Sequence, residues 1–251
     1  MNDYAVVIMG CNEYVDIAYF NAYFLDKYWK NSSDIIYVTE TILPHNPIYN
    51  KEIATEERML WSLRLLYALE NIKKEYVILF CDDFFIDSFV DNEEIEKLIA
   101  VCRNNKLGCL KLIPSADAYE IVDEKYGNCS LGTYRLSTMP AIWNVNYLNK
   151  IAKLGVNAWD FEISGSQYSL ELPDKVWCTR KEIISFVHAV NKGKWELEAI
   201  RLFKNENIPF DKFSNRKQIS IVKHCYRQMG GYIIRNFPEL YKIVRKIMGK
   251  E

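Results

Sequence analysis

Two adjacent carboxylates, Asp82 and Asp83, close an uncharged run of strand length, Tyr76-Val-Ile-Leu-Phe-Cys81. Side-by-side carboxylates repel each other unless a cation, a hydrogen-bond donor or water relieves them, so the pair reads as a place to hold a metal. In α/β sheets, ligands bind where the strands end at their carboxyl edge. A local alternative stands beside this reading: either Asp could cap the helix that begins near Asn92, or bond the turn backbone. Thiols are the other reactive groups at predicted strand ends. Cys11 and Cys81 both lie there, and a small buried core thiol is the ordinary use of such a residue.

The elements that must position these groups alternate as in βαβ architecture. Tyr4–Met9 predicts a first strand, rich in β-branched residues, followed by the turn Gly10-Cys-Asn-Glu-Tyr14. Ile17–Trp29 predicts a helix and Ile35–Val38 a short strand, with Pro44 and Pro47 placing residues 41–50 in a loop. Glu56–Leu69 predicts a helix leading into the acidic strand, Asn92–Arg103 another helix, and Gly108–Leu112 a further strand. The stretch 116–137 is polar and weakly patterned. Arg135–Trp143 has strand character and Val145–Leu154 helical spacing, followed by a break at 155–159. Asp160–Ser169 reads as a short helix with acids in its first turn, and strands near Lys175–Thr179 and Ile183–His188 lead to the loop Val190–Trp195.

Composition bounds the reading. The chain has 251 residues, 49% hydrophobic and 26% charged, ordinary values for one soluble α/β domain plus an appendage. It has no run near the roughly 18 to 20 apolar residues that cross a bilayer, and its start lacks the pattern of a secretory signal. The expectation is a cytoplasmic protein. Seven cysteines without a Cys-x-x-Cys pair, and three scattered histidines, argue for reduced thiols and against a zinc site.

The net charge of −1 hides an asymmetry. From Lys212 onward there are ten basic and two acidic residues, which leaves 22 basic and 31 acidic residues before it, so the body carries −9 and the tail +8. The tail also places Leu240, Tyr241, Val244, Ile247 and Met248 at helical spacing opposite Lys242, Arg245 and Lys246. Such a segment suits the anionic inner face of a membrane, and packing on protein is the alternative. The expected division is a catalytic domain over 1–204 and a basic amphipathic helical extension over 205–251. No nucleic-acid partner is expected.

Four segments, in order, resemble a bacterial GT-A-type glycosyltransferase of capsule and surface-polysaccharide assembly: Cys11-Asn-Glu-Tyr14, Trp61-Ser-Leu-Arg-Leu-Leu-Tyr-Ala-Leu69, Asp82-Asp-Phe-Phe-Ile86, and Pro140-Ala-Ile-Trp143 followed by Asn157-Ala-Trp-Asp-Phe-Glu162. The resemblance spans about residues 4–200. It implies a GT-A (Rossmann-like) mixed, mostly parallel sheet flanked by helices, and transfer of a sugar, with inversion, from a nucleotide-diphosphate donor to a saccharide or lipid-linked saccharide acceptor.

The roles it implies fall on particular residues. Asp82-Asp83 stands for the family's Asp-x-Asp element, with Asp83 a ligand of a divalent cation (Mn or Mg) and Asp82 on the ribose or sugar. Phe84 stands where the second Asp would often be, which leaves the metal open. Asn12, Glu13 and Tyr14 fall at the nucleotide-base end, with turn chemistry as their alternative. Ser62 and Arg64 fall near the nucleotide or its phosphates, or on an ordinary helix face. Glu162, or second to it Asp160, is the base that takes the acceptor's proton. Trp143 and Trp159 offer ring faces to the acceptor or pack in the core. Lys192 and Lys194 would close over the diphosphate with His188, which is also a candidate metal ligand, or form a solvated basic loop. Two other classes remain: a non-catalytic nucleotide-sugar-binding or scaffold protein, and a metal-dependent phosphohydrolase.

Overall fold

The computed structural model describes residues 4–30, 34–44, 49–115, 119–130, 132 and 134–220. The elements are β1 (Tyr4–Met9), α1 (Val15–Tyr28), β2 (Ile35–Thr39), β3 (Lys51–Ala54), α2 (Trp61–Glu70), β4 (Tyr76–Cys81), β5 (Phe84–Ile86), α3 (Asn92–Asn105) and β6 (Leu107–Lys111). Then follow β7 (Glu120–Ile121), β8 (Tyr126–Asn128), β9 (Ala141–Asn144), α4 (Val145–Ala152), α5 (Ala158–Ser169), β10 (Lys175–Thr179), β11 (Phe186–His188), β12 (Val190–Asn191), β13 (Lys194–Trp195) and α6 (Leu197–Asn205). The described residues fall into two compact units, one up to Val187 and one from His188.

In the first unit nine strands form one sheet in the order β3-β2-β1-β4-β9-β6-β10-β8-β7. The strands β3, β2, β1 and β4 are mutually parallel. β9 runs against both its neighbours, β6 and β10 are parallel, and β8 reverses again. The sheet is therefore mixed and mostly parallel, as expected. Because β1, β2, β4, β6 and β10 share one direction, their carboxyl ends share one edge.

Both faces of the sheet are covered, which is why its central strands are apolar throughout. Tyr4, Val6 and Ile8 of β1 and Tyr76, Ile78 and Phe80 of β4 face one side, where they meet Ala18, Ala22 and Leu25 of α1 and Ile95, Leu98 and Cys102 of α3. The alternate residues Ala5, Val7, Met9, Val77 and Leu79 face the other side, against Leu65 and Ala68 of α2, Leu148 and Ile151 of α4 and Phe161 of α5. Each large apolar side chain buried this way contributes about 1.5–3 kcal/mol. The two-residue period of the strands thus feeds two separate cores.

Several expectations are corrected. Residues 56–60 are not helical: Glu56 has φ +59°, its N–H donates to Glu40 O, and Leu60 is extended, so α2 starts at Trp61. The apolar face of 59–69 hid this turn. The expected loop 41–50 runs into an edge strand, β3, a four-residue strand with only Ile53 buried, which gives no clear alternation to read. The strand expected over 135–143 is only β9, and the strand expected over 183–188 is only β11. Neither Asp82 nor Asp83 caps α3. Asp91 does, accepting from the Glu93 and Glu94 N–H groups at 2.9 and 3.2 Å.

The second unit begins with the hairpin β12–β13, whose turn residues Lys192 and Gly193 have φ of 49° and 74°, the left-handed pair that suits a two-residue hairpin turn. Trp195 packs edge-on against Phe203 of α6 at 5.0 Å, and Phe210 stacks on Phe203 at 4.9 Å. Trp195 N–H donates to Lys217 O and receives Ile219 N–H on its own carbonyl, so 217–219 pair with the hairpin. The expected division after residue 204 falls inside α6. The amphipathic pattern of 240–248 lies outside the described residues. Among the described residues no helix is long and apolar enough to cross a membrane. A chain ending after Ser220 keeps the 217–219 pairing and loses seven of the ten basic residues, Lys223, Arg227, Arg235, Lys242, Arg245, Lys246 and Lys250. It should stay folded by circular dichroism yet lose sedimentation with anionic vesicles; undiminished sedimentation would remove the membrane role of the tail.

Candidate functional site

The carboxyl edge of β1, β2 and β4 gathers the first polar cluster. Asp82 follows β4, is 4% exposed, and its Oδ2 accepts a 3.0 Å bond from the Tyr37 hydroxyl of β2. Its N–H donates to Met9 O at the end of β1. Tyr37 is stacked on Tyr49 at 4.7 Å. Tyr49 in turn donates to Ala18 O at 2.8 Å, and Asn21 of α1 donates to Phe84 O at 3.1 Å. Bonds to neighbouring elements thus fix both sides of the Asp82-Asp83 turn. Burial and the Asp82 carboxylate hold the Tyr37 phenol well above its usual range, so it stays a donor. Gly10 makes this packing possible, because a Cβ there would stand 1.9 Å from the Tyr37 oxygen and 2.6 Å from Asp82 Oδ2.

A second cluster surrounds the loop after β1. Asn12 exchanges bonds with Thr41, Nδ2 to Oγ1 at 3.0 Å and Thr41 N–H to Oδ1 at 3.1 Å. Asn12 N–H also donates to Glu40, whose other oxygen takes Arg64 Nη1 at 2.8 Å. These residues border a cleft of about 310 Å³ lined by Asn12, Glu13, Glu40, Thr41, Glu56, Glu57 and Arg58. Four carboxylates line it with Arg58, and even with Glu40 paired to Arg64 the lining stays net negative, which disfavours phosphate and suits the N–H and O–H donors of a base and a ribose. Arg64, expected at a phosphate, has a side chain only 5% exposed and forms an internal ion pair with Glu40. Ser62 is likewise internal: its Oγ accepts Val156 N–H at 2.8 Å and its N–H donates to Val156 O, tying α2 to the loop before α5. Tyr14 ends the 3-10 turn Asn12–Tyr14 and is half-buried.

The third cluster joins the acidic turn to α5. The Cys81 thiol is pushed far up, first by burial and then by the carboxylates of Asp83, Asp82 and Glu162, while a hydrogen bond with Thr138 works the other way. The expected metal ligand and the expected base therefore lie in electrostatic reach of one thiol, though 79 residues separate them in sequence. Glu162 is oriented by Thr138, whose N–H and hydroxyl both donate to Oε1, at 2.8 and 2.9 Å. It lines a cleft of about 260 Å³ with Lys111, Ile113, Pro114, Ser115, Tyr134, Ser137 and Met139. Asp160 is exposed and takes Asn157 Nδ2 at 2.7 Å, while Asn157 itself caps α5 by accepting Asp160 N–H. The cap of α5 is therefore Asn157, and Asp160 lies in its first turn.

The remaining candidates are dispersed. Trp159 is 72% exposed, but Trp143 is wholly buried among Tyr147 and Phe161 and turns no face to a ligand. His188, Lys192 and Lys194 are exposed members of the second unit. Among the described residues no group of three His, Cys, Asp or Glu side chains could hold a metal alone. A magnesium-type ion delivered with a diphosphate needs only one or two protein carboxylates, a demand that half-buried Asp83 fits. The sequence reading missed Tyr37, Glu40, Lys111 and Thr138. Glu40 and Lys111 had a usable signal, since each stands at the carboxyl end of a strand.

No protein-family model matches the chain, and no curated protein matches it in sequence. Among solved structures it is similar to CMP:2-keto-3-deoxy-manno-octonic acid synthetase complexed with CTP, with a TM-score of 0.50 at 11% identity over 82% of this chain and 100% of that one. It is also similar to S. aureus TarS 1–349 (0.48, 14%, 73% of this chain) and to UDP-glucose pyrophosphorylase complexed with UDP-glucose (0.48, 6%, 84% of this chain and 100% of that one). The chain spans 59% of the length of the TarS structure. The likeness to the synthetase establishes a shared fold, the Rossmann-like α/β arrangement.

Two outcomes test this geometry. Gly10→Ala should lower stability by about 1–3 kcal/mol in denaturant unfolding, the usual cost of overpacking. The Cys11 thiol, half-buried, is raised to about 11 by burial first and then by Asp82, with Arg64 opposing. Removing that negative charge in Asp82→Asn should lower the thiol's pKa, raise its thiolate fraction at pH 8.5 and speed alkylation of Cys11. An unchanged rate, read by mass spectrometry of the Cys11 peptide, would mean that Asp82 does not act on it.

Proposed function

We propose that this chain is a glycosyltransferase that moves a sugar from a nucleotide-diphosphate donor to a saccharide acceptor, with inversion. One observation carries the reading: Asp83 and Asp82 of the turn after β4 and Glu162 of α5 all act on the Cys81 thiol at the carboxyl end of β4, and Glu162, held by Thr138, lines a cleft. The acidic cleft beside Asn12 takes the base and ribose. Asp82, fixed by Tyr37, shapes the turn, and Asp83 would hold a divalent cation accompanying the diphosphate, which when bound would supply charge neutralisation at the leaving phosphate. Glu162 takes the proton of the acceptor hydroxyl in the cleft it shares with Lys111. With Oε1 held by Thr138, the carboxylate cannot rotate freely, and a fixed base loses less on reaching the transition state. Inversion follows from one direct displacement, with no protein nucleophile between donor and acceptor.

Nucleotidyl transfer is the second reading, because the fold is shared with a synthetase complexed with CTP. The charge of the first cleft disfavours it, since Glu13, Glu40, Glu56 and Glu57 surround a position where a triphosphate would require cations.

A panel of nucleotide sugars tested by thermal shift, followed by product analysis with saccharide acceptors, decides between these readings. Release of a nucleoside diphosphate supports transfer of sugar, formation of a nucleoside triphosphate when pyrophosphate is added to the nucleotide sugar supports the alternative, and binding without turnover supports a binding protein. Glu162→Gln should lower turnover by roughly 10² or more with donor binding unchanged, and Asp160→Asn should do less. Asp83→Ala should abolish turnover while the melting temperature is kept, and full wild-type rate in excess chelator would sink the metal assignment.

A further inference from the structure

The cleft that holds Glu162 also holds a buried cation. Lys111 ends β6 at the carboxyl edge of the sheet and is 4% exposed, a rare place for a lysine. Its ammonium donates to Ser115 Oγ at 3.2 Å and to the Tyr134 carbonyl at 2.5 Å, two neutral acceptors for three N–H groups. Among the described residues it makes no ion pair. An ammonium taken out of water without an opposite charge is unfavourable, and a structure that keeps one at the wall of a cleft gains from an anion placed there. Glu162 is the one carboxylate among the lining residues, and its Oε1 is already bonded by Thr138. The rest of the lining suits a sugar ring: Met139, Pro114 and the ring of Tyr134 for its C–H faces, Ser115 and Ser137 for its hydroxyls.

We infer that the 260 Å³ cleft binds a saccharide bearing an anionic group, a carboxylate or a phosphate ester, with Lys111 as its counter-charge. This rests on the reading of the cleft as the acceptor site. The anion on Lys111 fixes the acceptor ring, and the ring's hydroxyl then meets Glu162. Discrimination follows from the same burial: with a neutral sugar the ammonium keeps, among the described residues, hydrogen bonds to neutral acceptors alone, beside the Cys178 thiol, whose pKa is lowered first by the Cys129 hydrogen bond and further by the Lys111 charge.

The test compares three disaccharides that differ only at the terminal residue: glucose, glucuronate and glucose 6-phosphate. Calorimetry with the full chain should show one or both anionic forms binding at least tenfold tighter than glucose, and which of them does so separates carboxylate from phosphate. Lys111→Met keeps the aliphatic stem and should bring all three within about twofold. Glu162→Gln, which removes the one negative group of the lining, should tighten the anionic forms alone. Wild-type affinities within twofold of one another overturn the inference, as does a preference that survives in folded Lys111→Met. If Lys111→Met fails to fold, an anionic affinity that Glu162→Gln leaves unchanged overturns it instead. Nucleotide-sugar binding without any anionic preference removes this inference alone. An anionic preference without nucleotide-sugar binding removes the transferase reading and keeps the pocket.

Discussion

A buried carboxylate hydrogen-bonded to a phenol at the edge of a parallel sheet is the constraint on which the rest of this site depends. Asp82 is out of water, and its Oδ2 takes the Tyr37 hydroxyl. That contact needs β1, β2 and β4 in parallel register, with Met9 opposite both Val38 and Cys81, so that their ends come level. It also needs Gly10, since any side chain there would occupy the space of the contact itself. With Asp82 fixed, the next residue has little choice. Asp83 is held where β4 turns into β5, and Phe84 enters the core while its carbonyl receives Asn21.

The polar residues around this edge divide into those that make the frame and those left facing clefts. Glu40 joins the loop after β1 to α2 by accepting both Asn12 N–H and Arg64, and Ser62 fastens α2 to the loop before α5. These bonds are internal, and removing one partner of a buried pair such as Arg64 and Glu40 costs about 3–5 kcal/mol because the other charge is left stranded. Glu13, Glu162 and Lys111 line clefts, and Asp83 stands at the half-buried turn after β4. Their charges order the space along the edge: acidic where a base and ribose would lie, and mixed where Glu162 and Lys111 share a wall.

Sequence by itself determined the alternation of elements, the central position of β4 and the acidic pair at its end, because these follow from the two-residue and 3.6-residue periods and from the uncharged run before Asp82. It also determined Asp83 and Glu162 as candidates, through residue type and the resemblance of their surroundings. It did not determine where elements without a period lie: β3 is a short, partly exposed edge strand, and the helical spacing of Met59, Leu63, Leu66 and Leu69 begins inside 56–60, a segment that turns at Glu56. Only the tertiary structure decided which polar residues are free to meet a ligand. Ser62 and Arg64 were legible as polar positions on a helix, yet their partners, Val156 and Glu40, are 94 and 24 residues away. Trp143 and Trp159 read alike as aromatic residues, yet one lies between two helices and the sheet and the other on the surface. Lys111, an ordinary strand-end lysine in the sequence, became a buried cation only when 115 and 134 closed around it. Hydrogen-bond partners and burial are set by contacts distant along the chain, and no local pattern of residue types encodes them.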